Sequence, residues 1–313
     1  MNNLKVVFMG TPEYSVPVLQ GLIDNYNVVG VVTQPDKEVG RHKELCFSPI
    51  KKLALEHNIK VVQPEKIRND YHCVLELDPD IIVTCAYGQI IPVEILDYPK
   101  YKCINVHASL LPKYRGGAPI NRAIMNGEKE TGITIMYMAP GMDDGDIISQ
   151  EKIEIGENDN YSIISNKLSV LGKDLLLKTL PSIINGTSDR IKQDETKVCL
   201  AKIIKKEDEL LDFDDTAINI HNKIRGLSDF PGCYSFLNGK RIKFFKSHIE
   251  KCNNDIDIGT IYKVEKDGIY VKTKEDSIVI DELMLEGKKR VPVNVFINGI
   301  KKEDYLNKKF EKE

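Results

Sequence analysis

Along the first half of the chain, short β-branched runs alternate with segments whose apolar residues recur every three or four positions. That is the pattern of βαβ units around a mainly parallel sheet. Leu4–Met9 and Val28–Thr33 read as the first two strands. Between them Pro12 opens a segment in which Val16, Leu19, Leu22 and Ile23 share one helical face. Ser48-Pro49 predicts a capped helix running through Leu55, Lys60–Val62 a short strand, and Ile67–Leu77 a helix ended by Asp78-Pro79. Asp80–Ala86 reads as a central strand, because Ile81, Ile82 and Val83 are consecutive and apolar, as a strand covered on both faces requires. Strands Cys103–Ala108, Thr131–Met138 and Ile147–Ile155 follow, with helices at Pro119–Met125 and Tyr161–Ile184, the last stopped by Gly186.

The texture then changes. Asp189 to Glu209 is polar, without an apolar period, and reads as a linker that wraps or crosses the first domain. Thr216–Ile224 predicts a helix, and after Pro231-Gly232 come five short strands: Cys233–Leu237, Ile242–Ile249, Gly259–Val264, Gly268–Thr273 and Ser277–Leu285. Asn238-Gly239 and Asp267-Gly268 mark hairpins between them. The expected fold is α/β: a Rossmann-like, mainly parallel sheet with helices on both faces over residues 1–189, a linker over 190–208, and a smaller OB-like β-barrel over 209–313.

Composition changes this picture little. With 313 residues, 42% apolar and 29% charged, the chain can bury a sizeable core, and its net charge of −3 excludes a uniformly basic binder. Any contact with a polyanion must come from local patches such as Lys240-Arg241-x-Lys243-x-x-Lys246 and Lys288-Lys289-Arg290. The longest uncharged stretch, from Ile81 to Val93, contains Gly88 and Pro92 and is too short to span a bilayer. The apolar run before Gly10 is too short for a secretory signal, so the expected compartment is the cytosol. Seven scattered cysteines without a Cys-x-x-Cys pair read mostly as small buried residues. With no extended apolar heptad, the expected state is a monomer.

Several chemistries fall away on motif grounds. Met9-Gly10-Thr11-Pro12 has one glycine where a dinucleotide fingerprint needs three, and its proline removes an N–H from the pyrophosphate position. Neither a P-loop nor a Gly-x-Ser-x-Gly elbow is present. The dense segment runs from Cys103 to Pro119. Asn105 and His107, two apart on a strand, project from the same face. Ser109–Pro112 then leaves the strand at its carboxyl end, where ligands bind in open α/β sheets, and Gly116-Gly117 exposes backbone N–H groups before a helix. Asp143, Asp144 and Asp146 crowd a turn-rich loop that lacks the spacing of a calcium site. A carboxylate from it would orient His107 as one half of an acid–base pair.

Asn105-x-His107-x-Ser-Leu-Leu-Pro-x-x-Arg-Gly, followed by Thr131-Gly-Ile-Thr-Ile and Gly141-Met-Asp143-x-Gly-Asp, resembles the formyltransferase family that draws its one-carbon unit from 10-formyltetrahydrofolate. The resemblance extends to Phe8-Met-Gly-Thr-Pro, Thr33-Gln-Pro-Asp-x-x-x-Gly-Arg41, Ala86-Tyr-Gly-Gln-Ile-Ile-Pro92, Gln193-Asp-Glu-Thr196 and Ala201-Lys-Ile, nearly the whole chain. It is strongest toward members that formylate the amino group of initiator methionyl-tRNA in translation initiation.

The resemblance implies Asn105, His107 and Asp143 as catalytic residues, with Asn105 and protonated His107 serving the formyl oxygen and Asp143 holding the imidazolium. It implies no metal and no covalent intermediate. The folate co-substrate would meet Ser109, Leu110, Leu111 and Pro112, with Tyr87, Gly88, Ile90 and Ile91 walling the pterin pocket. Arg41 and Lys43 would touch the tRNA from the loop between Gln34 and Phe47, and Lys240, Arg241 and Lys243 would do so from the barrel. The rival readings are a formyltransferase acting on an amino sugar nucleotide, a formyl-folate hydrolase or glycinamide ribonucleotide formyltransferase, and a catalytically idle RNA-binding module.

Overall fold

The computed structural model describes residues 2–39, 44–253 and 255–311. The chain forms two compact units that do not follow chain order: Met1–Pro119, Glu130–Ile153 and Ser165–Ala201 in the first, and Ile120–Lys129, Glu154–Ile164 and Lys202–Glu313 in the second.

The first unit is built on strands β1 (Asn2–Gly10), β2 (Tyr26–Val32), the hairpin β3 (Lys37–Val39) and β4 (Glu44–Cys46), β5 (Val61–Val62), β6 (Ile81–Cys85), β7 (Cys103–His107), β8 (Glu130–Tyr137) and β9 (Ile147–Glu154). Seven of them form one sheet in the order β5-β2-β1-β6-β7-β8-β9. The pairs from β5 to β7 are parallel, and β8 is antiparallel to β7. Ile81, Ile82 and Val83 are all inaccessible, as their consecutive apolar character required. Ile82 joins Val7, Met9 and Val32 in a core on one face, where Ile95 and Leu96 also pack.

Helices α1 (Val16–Asn25), α2 (Pro49–Glu56), α3 (His72–Leu75), α4 (Val93–Leu96) and, from Ser165 onward, α6 (Tyr161–Ile184) accompany these strands, whereas α5 (Pro119–Met125) belongs past its first residue to the second unit. The predicted ends of α5 and α6 are the observed ones, and Ser48 Oγ accepts from Lys51 N to cap α2 as expected. Gly172 brings α6 against the sheet, since a Cβ there would stand 3.0 Å from Val106 Cγ1. The expected helix over Ile67–Leu77 shrinks to α3. Ile67 N donates to the Gln89 side chain, and the segment winds through three-residue turns such as Cys73 N to Asp70 O. Of the cysteines, Cys85, Cys103, Cys233 and Cys252 are buried, whereas Cys46 and Cys199 are exposed. Among the described residues no helix is long and apolar enough to cross a membrane.

The second unit adds helices α7 (Lys206–Glu209), α8 (Ala217–Gly226) and α9 (Val293–Phe296) and strands β10 (Cys233–Leu237), β11 (Lys240–Glu250), β12 (Ile261–Glu265), β13 (Gly268–Lys272), β14 (Ser277–Leu285) and β15 (Val291–Pro292). The sheet runs β10-β11-β14-β13-β12, with β15 on β14, and each of these pairs is antiparallel. Its two edges are stitched by the C-terminal segment: Phe236 pairs with Glu311 on one side and Thr260 with Lys309 on the other. The expected barrel closes in this way, and Phe310 from that segment stacks on Phe213 inside it. The Asn238-Gly239 turn has positive φ at both residues, as a type I′ hairpin needs. The Asp267-Gly268 signal marks a hairpin for a different reason. Gly268 is already in β13, and a Cβ there would fall 2.2 Å from Val279 Cγ1.

Residues 154–164 are fastened to α8 by buried polar side chains. His221 Nε2–H donates to Glu157 O and its Nδ1 meets Ser247 Oγ, while Arg225 donates to the carbonyls of Gly156 and Asp159. Burial lowers His221 below the ordinary imidazole range, and Arg225 adds to the effect. The unfolded chain therefore binds a proton at a higher pH than the folded one does. Stability from this group is complete above the ordinary imidazole pKa and is lost as pH falls through the folded value. Thermal melts from pH 7 to pH 5 should show wild-type stability declining more steeply than that of His221→Gln, by at most about 1.4 kcal/mol per pH unit. Parallel slopes would remove His221 from the acid sensitivity.

Candidate active site

The strand order reverses at β1, whose neighbours β2 and β6 lie on opposite sides, and the crevice outside the carboxyl ends there is where an open parallel sheet binds ligands. Thr11 Oγ1 and Gln34 Nε2 both donate to Tyr87 O, anchoring the loop after β6 over this switch point. Beside it, Thr84 and Asn105 are register partners on β6 and β7. The Thr84 hydroxyl donates to Asn105 Oδ1 at 2.8 Å, which turns the amide so that Nδ2 faces outward. Nδ2 then donates to Asp143 Oδ1 at 3.2 Å.

His107, two residues on and 6% exposed, meets the same carboxylate: Nδ1 stands 3.6 Å from Asp143 Oδ2. Its other nitrogen lies 2.9 Å from the Tyr114 carbonyl. A carbonyl only accepts, so Nε2 carries a hydrogen and Nδ1 is the nitrogen turned to Asp143. Gly116 N completes the arrangement by donating to Asp143 Oδ2 at 2.9 Å. The N–H expected to await an anionic ligand is thus occupied by the protein's own carboxylate. Gly116 has φ +119°, and a Cβ there would stand 2.8 Å from Ala201 O.

The loop after β7 is fixed by groups the sequence reading assigned no role. Thr134 Oγ1 donates to Ser109 O and accepts from Leu111 N, and Gln150 Nε2 donates to Leu111 O. The Ser109 hydroxyl is fully buried and donates to Lys113 O at 2.7 Å. Leu111 is buried with Met136 and Ile147. A cleft of about 170 Å³ opens beside Asp143, lined by Gln89, Ile90, Ile91, Met136, Met138 and the 139–142 turn. Of the residues expected to hold folate, Ile90 and Ile91 line this cleft; Tyr87, Gly88 and Ser109–Pro112 stand outside its lining.

Beyond Asp143 lies a buried cation. Arg115 Nε donates to Gln193 Oε1, and its terminal nitrogens reach Glu195 at 2.7 and 3.2 Å. The guanidinium holds the Glu195 carboxyl below its ordinary range. Arg115 and the Gln193-Asp-Glu-Thr segment were visible as motif residues. Their pairing had no signal in the sequence, because it links positions far apart in the chain.

The cationic residues expected to meet nucleic acid are less uniform than their clustering suggested. Arg41 and Lys43 lie outside the described residues. Lys240 is exposed at its turn, whereas Lys243 Nζ donates to Pro231 O and Arg241 sits over the Tyr234 ring. Arg290 is paired with Asp229 and Glu282 and stacked on Phe245.

Thr84→Val keeps shape but leaves Asn105 Oδ1 without its donor. Urea unfolding should show a loss of about 1–2 kcal/mol for Thr84→Val and little for Thr84→Ser. An unchanged valine variant would mean that Thr84 does not hold the amide.

The chain matches the formyl transferase family model over residues 4–180 and the formyl transferase C-terminal domain model over residues 203–301. A methionyl-tRNA formyltransferase of Bacillus subtilis is 50% identical over 299 residues, covering 94% of each chain. One of Bacillus cytotoxicus is 50% identical over 304 residues, 96% of this chain and 97% of its own. Among solved structures, WlaRD, a sugar 3N-formyl transferase determined in the presence of dTDP and 5-N-formyl-THF, superposes with a TM-score of 0.66 at 23% identity. That match covers 92% of this chain and all of the other, and at such identity it speaks for the fold alone. With more than half its length in the catalytic-domain model and half its residues shared with these relatives, the chain belongs to the formyl transferase family.

Proposed function

We propose that the chain, acting as a cytosolic monomer, transfers the formyl group of 10-formyltetrahydrofolate to the methionine amino group of initiator methionyl-tRNA. The 50% identity to methionyl-tRNA formyltransferases over nearly the whole chain carries this reading of the acceptor. The convergence of Asn105 Nδ2 and His107 Nδ1 on one carboxylate supports the roles assigned below.

The donor fits the cleft beside Asp143 in kind. Ile90, Ile91, Met136 and Met138 offer apolar cover for a flat heterocycle, and the 139–142 turn offers backbone groups for its polar edge. Ser109–Pro112 form the neighbouring loop, held by the Ser109 hydroxyl on Lys113 O and by Leu111 N on Thr134 Oγ1. The donor supplies an N-formyl carbon that an amine attacks, and negative charge develops on the formyl oxygen.

Asn105 has one Nδ2 hydrogen engaged by Asp143, and we assign the second to that oxygen. With Nε2–H held by the Tyr114 carbonyl, the working nitrogen of His107 is Nδ1. It carries a proton toward the same oxygen, and Asp143 balances the imidazolium charge. Preorganised donors of this kind are worth a few kcal/mol each in the transition state. The Asp143 carboxylate accepts the proton the amine loses as the new C–N bond forms. As the old C–N bond breaks, the departing nitrogen takes a proton from His107 Nδ1, and transfer from the Asp143 carboxyl to Nδ1 restores the site. Residues 209–313 act as the tRNA-binding domain in this reading, through Lys240, Arg241 and Lys243, together with Arg41 and Lys43 from the first 189 residues.

Purified protein should formylate charged initiator tRNA with 10-formyltetrahydrofolate; transfer to an amino sugar nucleotide but not to charged tRNA would overturn the acceptor. Asp143→Asn should lower the single-turnover rate by about 10²- to 10⁴-fold, and full activity would remove the carboxylate from the chemistry. Arg41→Ala should weaken tRNA use and reduce its salt dependence while leaving donor binding intact. Equal loss of both substrates would mean that Arg41 serves the fold.

A further inference from the structure

Asp143 holds its carboxylate in place from an awkward backbone. Its φ is +49°, in the left-handed region that few residues with a Cβ adopt, aspartate more readily than most. The turn around it is tight: a Cβ on Gly145 would stand 1.9 Å from Tyr137 O. The side-chain contacts of Asp143 orient the carboxylate, but they do not hold the peptide groups of the turn.

One half-buried side chain does hold them. Gln193 Nε2 donates to Asp143 O and to Gly145 O, both at 2.8 Å. A primary amide has two N–H hydrogens on one side and an acceptor on the other, so both carbonyls are reached only with the oxygen facing away. Arg115 enforces that orientation, since its Nε donates to Gln193 Oε1 at 3.0 Å. The guanidinium is itself buried and braced by Glu195. Residues 190–201 are in turn registered on the unit by backbone pairs: Ile147 with Ile191 in both directions, Arg115 N to Cys199 O, and Ala201 N to Arg115 O.

We propose that Gln193 is a positioning residue for formyl transfer, clamping the two carbonyls that flank the Asp143 turn so that its carboxylate stays between Asn105 and His107. This inference rests on the roles given above to those three residues. Gln193 acts through Asp143 and touches neither substrate. Its effect should therefore fall on the rate of the transfer step and not on donor affinity, and it should vanish when Asp143 no longer works.

The test compares wild type, Gln193→Ala and Gln193→Glu, each in the native and the Asp143→Asn background. Single-turnover formylation is measured at saturating donor, with donor affinity by titration. Gln193→Ala should slow transfer by about 10- to 100-fold while donor affinity changes less than about threefold, the scale expected from misplacing a catalytic group by an ångström or less. Gln193→Glu keeps a partner for Arg115 but sets a carboxylate against two carbonyls, and should be at least as slow. In the Asp143→Asn background the further loss should be under about threefold. Equal factors in both backgrounds, or a loss confined to donor affinity, would overturn the proposal.

Amide hydrogen exchange gives a readout that does not depend on activity. Exchange over residues 142–146 should quicken in folded Gln193→Ala, and unchanged exchange would also overturn the clamp. If the wild-type chain formylates no charged tRNA, the functional reading fails, while exchange still decides whether Gln193 holds the turn.

Discussion

The site depends on one carboxylate receiving several donors at once. Asp143 meets an amide hydrogen from Asn105, the Nδ1 face of His107 and the backbone N–H of Gly116. Each of those groups is fixed by something else. Thr84 turns the Asn105 amide, the Tyr114 carbonyl sets the His107 tautomer, and Gly116 is pinned beside Ala201. Such a constellation can be preorganised because every member is oriented from outside it, which leaves little reorganisation for the reaction to drive. The alternation of β7 puts Asn105 and His107 on one face, and the parallel register of β6 supplies Thr84 opposite them.

The carboxylate comes from a turn, and a turn has no ladder of its own to hold it. Here the missing rigidity is borrowed from distant chain. Glycine at 145 lets the turn approach Tyr137 O, and Gln193 closes it from the other side. The polar segment after α6 is therefore part of the architecture of the first unit. Its backbone pairs with Ile147 and Arg115, and its side chains complete a network that begins at Asp143. A fully satisfied network of this kind in a partly dry site is stiff, and losing one member leaves several polar groups without partners.

Much of this was legible in the sequence where the signal was local. The two-residue spacing of Asn105 and His107, the consecutive apolar residues of β6 and the Ser48 cap each depend on neighbours in the chain, and each is found as read. The Ile67–Leu77 helix shrinks to one turn because its amides close three-residue turns, Cys73 N to Asp70 O and Leu77 N to Val74 O, which an apolar period does not distinguish from a regular helix. The Asp267-Gly268 signal found a real hairpin by accident of composition, since Val279 is what requires the glycine. The roles of Thr84, Tyr114 and Gln193 escaped for a common reason: each acts through a partner supplied by tertiary structure. The tyrosine does so through a backbone carbonyl, which carries no residue-type signature.

Charge in the second unit follows the same logic. Counting lysines and arginines along β11 and after β14 marks a basic surface, yet several of those cations have structural partners. Lys243 donates to the Pro231 carbonyl, Arg241 sits over the Tyr234 ring, and Arg290 bridges Asp229 and Glu282 over Phe245. A cation already paired with carboxylates offers a polyanion a neutralised surface and releases few counterions on binding. Lys240, Lys246, Lys288 and Lys289 are exposed, and they belong to turns or to the outward side of a strand. The electrostatic footprint of this unit is thus narrower than its sequence suggests. For a chain with net charge −3, the proposed contact with tRNA would rest on a few well-placed contacts and on shape, more than on a broad positive field.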